Sequence, residues 1–519
     1  MTFNLFLYDS EDFRQADQIA MNELNLPALL LMENAGRAAA DVIVRRFPSA
    51  RKILVVCGSG NNGGDGFVTA RHLRRRSIDI TALISTSIER ISGEPLLNLK
   101  ALRGIGVDIQ ESGALSEDEL KSLLGSQDLL VDALLGTGSK GAPRGEILRL
   151  IRSMRGTAPV VSLDIPSGVD PSTGRTDGEA VKAVLTVTML ARKTGLEIMP
   201  GRGLRGDIEV ADIGVPPEFL LRRNSTHKLI EAADVSMMLP PRGLGVHKGD
   251  RGLVLVIGGS SRYGGAPVLS ALGALMSGCG GVVVAAPARV CAQSMCHPEM
   301  IFMEGVSEGG FLSSRTWDAA LDMWGDRIDS VVIGPGLDRG EPSRELFRRV
   351  WNEWKGPLCV DGDALFALGR WPERPCRPKN SVITPHEGEA ANMLAKERRS
   401  ISSSRLGSVL ELSGLFGTTL LKGAATIISD GNRVRVIPFI VPGLSIPGSG
   451  DVLAGVTGAL LGMGLDAFDA ATSAAYLHAL AGRELEHDIG IDGISAAGVA
   501  SAIPRAISIV RLENGECRL

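Results

Sequence analysis

Residues 57–66 read CGSGNNGGDG, five glycines packed around two asparagines and an aspartate. The segment follows a short apolar run, KILVVC, and precedes a helical pattern at 67–73. Glycines in that place let backbone N–H groups close on an anion, helped by the helix N-terminus. A plain strand-to-helix turn accounts for the glycines but does not require Asn61, Asn62 and Asp65. A second glycine-rich turn, VDALLGTGSKGAPR at 131–144, opens with the carboxylate Asp132 and carries Lys140. A third, SLDIPSGVD at 162–170, sets Asp164 at a strand end with Ser167 close behind. Together the three supply asparagine, carboxylate and hydroxyl oxygens, which suit a hard cation. They also supply an acidic group for proton transfer. Each aspartate taken singly reads as a helix N-cap.

The second half carries a different set. IPGSGDVLAG at 446–455 places Asp451 just behind a glycine pair, at the head of an apolar, small-residue helix. Free N–H groups and the helix dipole favour negative charge there. Such an aspartate can take a hydroxyl proton while the amides hold a phosphoryl group in transfer. The plainer reading is a capped helix start. Further strand-end loops accompany it: RYGGAP at 262–267, IGPG at 333–336, TPHEGE at 384–389 with His386, and LKGAAT at 421–426 with Lys422. A lone histidine is more often structural, but these neighbours favour a ligand contact for His386.

Positioning these loops requires sheets. Residues 10–46 have helical periodicity, and short apolar runs then follow at 52–57, 80–84, 128–134, 160–165 and 183–190. Strands alternating with helical segments predict a parallel sheet covered on both faces. Ligands then bind beyond the carboxyl ends of the strands. Residues 212–250, rich in Pro and Gly, read as the passage between two domains, with a boundary near residue 222. The rhythm restarts with strands at 251–258, 281–286, 330–334, 358–361, 381–384, 418–422 and 426–429. Small-residue helices lie at 266–278, 451–463 and 470–482. No internal repeat joins the halves. The expected fold class is α/β: a Rossmann-like three-layer domain over 1–222 and a second α/β domain over 223–519.

The N-terminal motifs CGSGNNGGDGFVTARHL, GTGSKG, SLDIPSGVD and LLLMENAG resemble those of the NAD(P)H-hydrate epimerases over about residues 5–215. The resemblance implies interconversion of the R and S epimers of hydrated NADH or NADPH. It puts substrate contacts on Asn61, Asn62, Gly63, Gly64 and Asp65, and on Gly136, Thr137, Gly138, Ser139, Lys140, Gly141 and Ala142. Asp164 would contact the reacting ring and serve as the acid/base group. A potassium ion would be held by Asn62, Asp132 and Ser167. The C-terminal motifs GGSSRYGGAPVLS, GPGL, DGDAL, TPHEGE, KGAAT and PGSGDVLAG resemble the ribokinase-like superfamily. Within it they are similar to the ADP-dependent NAD(P)H-hydrate dehydratases, over about residues 245–500. There Asp451 would activate the hydrate hydroxyl, with 448–450 as the anion hole. Ala266, Gly336, His386 and Asp451 would contact the hydrated cofactor. Lys422, Gly423, Ala424, Ala425, Thr426 and Gly450 would contact ADP, with Mg2+ accompanying it. ADP rests on likeness to bacterial fused members. Ser449 departs from the family's usual threonine but keeps the hydroxyl.

Composition is that of a globular protein: 519 residues, 44% hydrophobic and 22% charged. The net charge of −4 and the lack of a basic tail argue against a nucleic-acid partner. Seven cysteines without metal spacing, no basic n-region at the start and no long apolar run predict a cytoplasmic protein with no membrane segment. A homo-oligomer is expected from resemblance alone. Two other readings stay open: a small-molecule kinase of ribokinase type with a Rossmann-like partner domain, and a nucleotide-binding sensor or scaffold without catalysis.

Overall fold

The computed structural model describes residues 5–215, 225–241, 245, 247–293, 297–373 and 380–513. The chain divides into two compact units, Met1–Lys228 and Leu229–Leu519. The boundary expected near residue 222 lies outside the described residues.

In the first unit, apolar runs of strand length form a seven-stranded sheet. Its order is Asp108–Glu111, Asp79–Ile84, Lys52–Cys57, Leu129–Ala133, Val160–Leu163, Leu185–Met189 and Asp207–Ala211. Every pairing is parallel. The two edge strands, DIQE and DIEVA, escape the sequence reading because they are polar and half-exposed. Two apolar layers cover the sheet. One is built from Ala39, Ile43, Phe67, Leu73 and Leu102, the other from Leu120, Leu124, Leu150 and Met154. The strand order reverses between Lys52–Cys57 and Leu129–Ala133. That is the switch point where loops splay and ligands bind.

The continuous helix expected over 10–46 is two helices, Ser10–Asn22 and Ala28–Arg46. Pro27 holds extended backbone at the second N-cap, and Asn25 adopts φ +53 between them. The glycine-rich segment also differs from expectation. The helix already begins at Asn61, with Gly60 as N-cap, so residues 61–66 are helical rather than loop. Those glycines serve close approach. A Cβ on Gly63 would stand 1.9 Å from the Gly58 carbonyl, and one on Gly66 would meet Ala133 and Cys57.

In the second unit the strands run Val434–Val436, Ile427–Ser429, Thr418–Leu421, Ser381–Ile383, Leu358–Val360, Ser330–Ile333, Leu253–Ile257, Gly281–Ala286 and Ile301–Glu304. From Thr418–Leu421 onward the pairings are parallel, and the first two strands are antiparallel additions. The order reverses between Ser330–Ile333 and Leu253–Ile257. The helices Gly265–Met276 and Ser449–Gly462 pack backbone to backbone. A Cβ on Gly455 would meet the Ser270 carbonyl at 1.8 Å, and one on Gly273 the Val452 carbonyl at 2.4 Å. This contact fixes the helix whose first turn carries Asp451.

Gly455→Ala therefore sets two effects against each other. Helix propensity alone favours alanine by about 1 kcal/mol. The backbone clash costs about 1–3 kcal/mol. A lower urea midpoint for the second unit is expected, and a higher one would show that the two helices separate freely.

Candidate active sites

In the first unit, three strand ends at the switch point bring Asn62, Asp132, Asp164 and Ser167 together. Asp132 is fully buried beside Ser162 across the parallel pair. It accepts from Ser162 Oγ at 2.8 Å, Ser167 N at 2.9 Å and Ser167 Oγ at 2.6 Å. Ser167 Oγ accepts from Leu135 N at 2.9 Å, and Asn62 Nδ2 donates to the Leu135 carbonyl at 2.9 Å. The buried Asn62 Oδ1 has no hydrogen-bond partner. Burial pushes the Asp132 carboxyl above its ordinary range, against the serine donors.

Asp164 sits on the other side of the same turn, in left-handed backbone at φ +66. Non-glycine residues hold that conformation only where the surroundings impose it, and such strain gathers at functional sites. Its Oδ2 accepts from Thr137 N at 2.8 Å and Thr137 Oγ1 at 2.6 Å. Gly136 is confined between Asp164 and Asn62, since a Cβ there would lie 3.1 Å from each. Asp164 Oδ1 pairs with Lys193 Nζ at 2.7 Å, and that ammonium also donates to Thr188 Oγ1 at 2.8 Å. It lies 4.1 Å from the Phe13 ring centre. Burial alone would raise the Asp164 carboxyl. Lys193 and the Thr137 donors outweigh it and hold the group below its usual range. Asp65, in the first turns of the helix Asn61–Arg74, is pushed well above that range by burial and then by the charges of Asp164 and Asp17. The two neighbouring carboxyls are thus shifted in opposite directions, Asp164 toward the ionised form and Asp65 toward the protonated one. Asn61 and Lys140 are exposed. Neither Lys193 nor Asp17 was singled out from sequence. The trace available was a lysine set directly behind an apolar strand run, in MLARKTG.

In the second unit, a cavity of about 480 Å³ is lined by Arg262, Tyr263, Ala266, Gly336, Asp338, Arg339, Gly362, Asp363, Glu389 and Asp451. Two predicted substrate contacts and the predicted base therefore share one space. Gly336, at φ +62, lies so close to Tyr263 that a Cβ would collide with it, and Ala266 would stand 3.1 Å away. Lys422 Nζ pairs with the buried Asp361 Oδ1 at 2.7 Å, faces Glu389 Oε2 at 3.8 Å and abuts Gly450. Thr384 Oγ1 donates to the same Asp361 oxygen at 2.6 Å. Burial lowers the Lys422 ammonium, but Asp361 and then Glu389 outweigh it and hold it above its usual range. Burial and the Asp361 charge lift Asp451 to about 7, with Lys422 opposing. Gly448, at φ +88, is the N-cap of Ser449–Gly462, so Asp451 lies in the first turn rather than capping it.

His386 does cap a helix. Its Nδ1 accepts from Gly388 N at 2.9 Å and Glu389 N at 3.2 Å, while Glu389 Oε2 accepts from His386 N at 2.8 Å. Its Nε2 stays 3.5 Å from Glu389 Oε1. His386 is not among the cavity-lining residues. In the loop at 422–426, Ala425 is buried at φ +53 and Thr426 Oγ1 donates to the Gly423 carbonyl at 3.0 Å. Arg405, also missed from sequence, is buried behind that loop and donates to the Leu421 and Lys422 carbonyls at 3.3 Å each.

Comparison with known proteins resolves what this pair of sites belongs to. Residues 28–195 match the family described as YjeF-related protein N-terminus, and residues 254–505 match the family described as NAD(P)H-hydrate dehydratase. The bifunctional NAD(P)H-hydrate repair enzyme Nnr of Thermanaerovibrio acidaminovorans is 41% identical over 501 residues, 95% of this chain and 96% of its own. The chain belongs to the family of bifunctional NAD(P)H-hydrate repair enzymes. The member from Escherichia coli is 34% identical over 503 residues, 96% of this chain and 93% of its own. A solved structure of the ADP/ATP-dependent NAD(P)H-hydrate dehydratase from Bacillus subtilis covers 54% of this chain and 98% of its own, at 25% identity and a TM-score of 0.47. The N-terminal family match begins at residue 28, yet Phe13 and Asp17 act on the site from the helix before it.

Removing Lys193 separates its charge from its bulk. In Lys193→Met the Asp164 carboxyl loses its counter-charge, and burial then favours the protonated form. In the native protein the folded pKa is depressed, so the pair stabilises above the unfolded pKa and fails as pH falls through the folded one. The variant should lose about 3 kcal/mol at neutral pH. Any step needing ionised Asp164 should move its acid limb to higher pH. Denaturant curves and a pH–rate profile read both effects, and an unmoved limb would show that Lys193 does not set the charge of Asp164.

Proposed function

We propose that this protein repairs hydrated nicotinamide cofactors at two sites on one chain. The N-terminal site interconverts the R and S epimers of hydrated NADH and NADPH. The C-terminal site dehydrates the S form, taking a phosphoryl group from ADP and releasing AMP and phosphate. The observation that carries the reading is the cavity shared by Asp451, Ala266 and Gly336, where burial and the Asp361 charge lift Asp451 to about 7. A base works best when its pKa lies near the working pH.

Water is a poor leaving group, and phosphorylation replaces it with a good one. Asp451 takes the proton of the substrate hydroxyl, and the freed oxygen attacks the terminal phosphorus of ADP. The amides at 448–450 and the Lys422 ammonium stabilise the charge on the transferring group. AMP leaves, the carbon–oxygen bond breaks as phosphate departs, and loss of a proton from the adjacent ring carbon restores the ring double bond. Epimerisation needs no nucleotide. Asp65 gives a proton to the departing hydroxyl, which leaves as water, and Asp164 steadies the positive charge left on the ring. Asp164, as the acid/base group, takes the proton of the water that returns to the opposite face, and a proton then passes back to Asp65.

The residues fit a potassium ion. Asn62 Oδ1 is buried without a partner, and among the described residues no ion pair is formed by the buried Asp132. Asn62, Asp132 and Ser167 would hold the ion, which would neutralise Asp132 and steady the adjoining turns. Magnesium is assigned to the nucleotide phosphates. No group of three or more His, Cys, Asp or Glu among the described residues is placed to hold a metal ion, and Mg2+ in nucleotide sites draws its shell largely from water and substrate phosphate. The reading places the enzyme in the cytoplasm, as a homo-oligomer. No helix of the described residues is long and apolar enough to cross a membrane, and the described cysteines are free thiols.

A mixture of R and S NADH hydrate, followed at the absorbance of reduced nicotinamide with ADP, Mg2+ and K+, tests the reading. Full conversion to NADH is expected. A stop at the S fraction would remove the epimerase, and a stable phosphorylated product would return the second unit to the small-molecule kinases. Asp451→Asn should abolish NADH formation and leave epimerisation intact, and loss of both would sink the two-site assignment. Replacing K+ by Li+ should slow epimerisation alone; unchanged epimerase kinetics would remove the ion from Asn62, Asp132 and Ser167.

A further inference from the structure

Restoring the ring double bond takes two proton removals, and Asp451 accounts for one. The first proton leaves the substrate hydroxyl before phosphoryl transfer. The second leaves the ring carbon next to the one that carried the phosphate, as the carbon–oxygen bond breaks and the new double bond forms. Asp451 already holds a proton at that moment, so the second goes to another acceptor, either the departing phosphate or a further carboxylate of the cavity.

The cavity wall offers three further carboxylates, and their bonding separates them. Asp363 is engaged on both oxygens, Oδ2 accepting from Asp338 N at 2.9 Å and Oδ1 from Arg339 Nε at 2.8 Å. Asp338 Oδ1 accepts from Arg339 N at 2.6 Å, and among the described residues no cation stands at ion-pair distance from Asp338. Glu389 is held differently. Its Oε2 is anchored by His386 N at 2.8 Å and faces Lys422 at 3.8 Å, while its Oε1 has only the looser approach of His386 Nε2 at 3.5 Å. One oxygen positions the group and the other is left to act.

Resting on the dehydratase reading, we propose that Glu389 is the second base of this site: it accepts the ring C–H proton while phosphate leaves. Atoms balance in that step. The carbon–hydrogen bond's electron pair becomes the new double bond, the carbon–oxygen pair departs with phosphate, and the proton passes to Glu389. Burial lifts Glu389 to about 7 against the opposing Lys422 charge, a value suited to accepting a proton near neutrality. Its place on the helix Glu387–Leu394, in a turn shared with His386, gives the TPHEGE segment a catalytic use beyond capping.

Glu389→Gln keeps an oxygen for the His386 cap and removes the base. With S NADH hydrate, ADP and Mg2+, the wild type should form AMP and NADH in equal amounts. The variant should still form AMP, while NADH appears about 100-fold more slowly and a phosphorylated hydrate accumulates, visible by phosphorus NMR. Deuterium on the ring carbon that loses the proton should then slow NADH release in the variant and leave AMP formation unchanged. Glu389→Asp, which keeps a carboxylate, should recover part of the NADH rate. Equal AMP and NADH from Glu389→Gln at the wild-type rate would overturn the proposal. So would loss of both products in step, since that places Glu389 before or at phosphoryl transfer. Failure of the wild type to form either product would instead reject the dehydratase reading itself.

Discussion

A carboxylate taken out of water must find a partner or give up its charge. A site that needs one acid ionised and the next protonated therefore depends on where a single positive charge is fixed. Both units of this protein settle the matter with one lysine, buried outright in the first and half-buried in the second. Lys193 meets Asp164 at 2.7 Å, and Lys422 meets Asp361 at 2.7 Å. Around each pair, burial raises other carboxyls by more than the ammonium's charge lowers them. Those lifted are Asp65 in the first site, Asp451 and Glu389 in the second. Groups of one chemical kind thereby have their proton affinities pushed apart within a few side chains of each other, which is what acid–base chemistry at neutral pH requires.

Such charge patterns persist only on a stiff frame. Parallel strands buried on both faces supply it, and the reversal of strand order opens a gap for the loops. Glycine brings the frame close enough to matter. Gly136 lets the turn press against Asp164 and Asn62, and Gly455 lets the helix of Asp451 lie on the Ser270 backbone. A methyl group would stand 3.1 Å from Asp164 at the first place and 1.8 Å from the Ser270 carbonyl at the second, so neither contact can be kept unchanged.

Much of this was legible in the residues. The α/β rhythm, the reversal-point loops and the aspartates Asp132, Asp164 and Asp451 follow from apolar runs ending in glycine-rich turns. Polar edge strands such as Asp108–Glu111 and the antiparallel additions were less readable, because edges need no hydrophobic alternation. The helix beginning at Asn61 was hidden by its glycines, whose low helix propensity is overridden by packing against Gly58, Met32 and Ala133. His386, read as a ligand contact, caps the helix Glu387–Leu394, which the loop reading of TPHEGE did not anticipate.

By itself the sequence determined which chemical groups stand at the strand ends, since residue type and local period decide loop and strand. Only the tertiary structure decided the state of those groups. The partners that set it come from distant segments: Lys193 for Asp164, Lys422 for Asp361 across 61 residues, and Arg405 for the carbonyls of the 421–426 loop. Desolvation and Coulomb attraction depend on distance through space and on excluded water, neither of which is a property of neighbours along the chain.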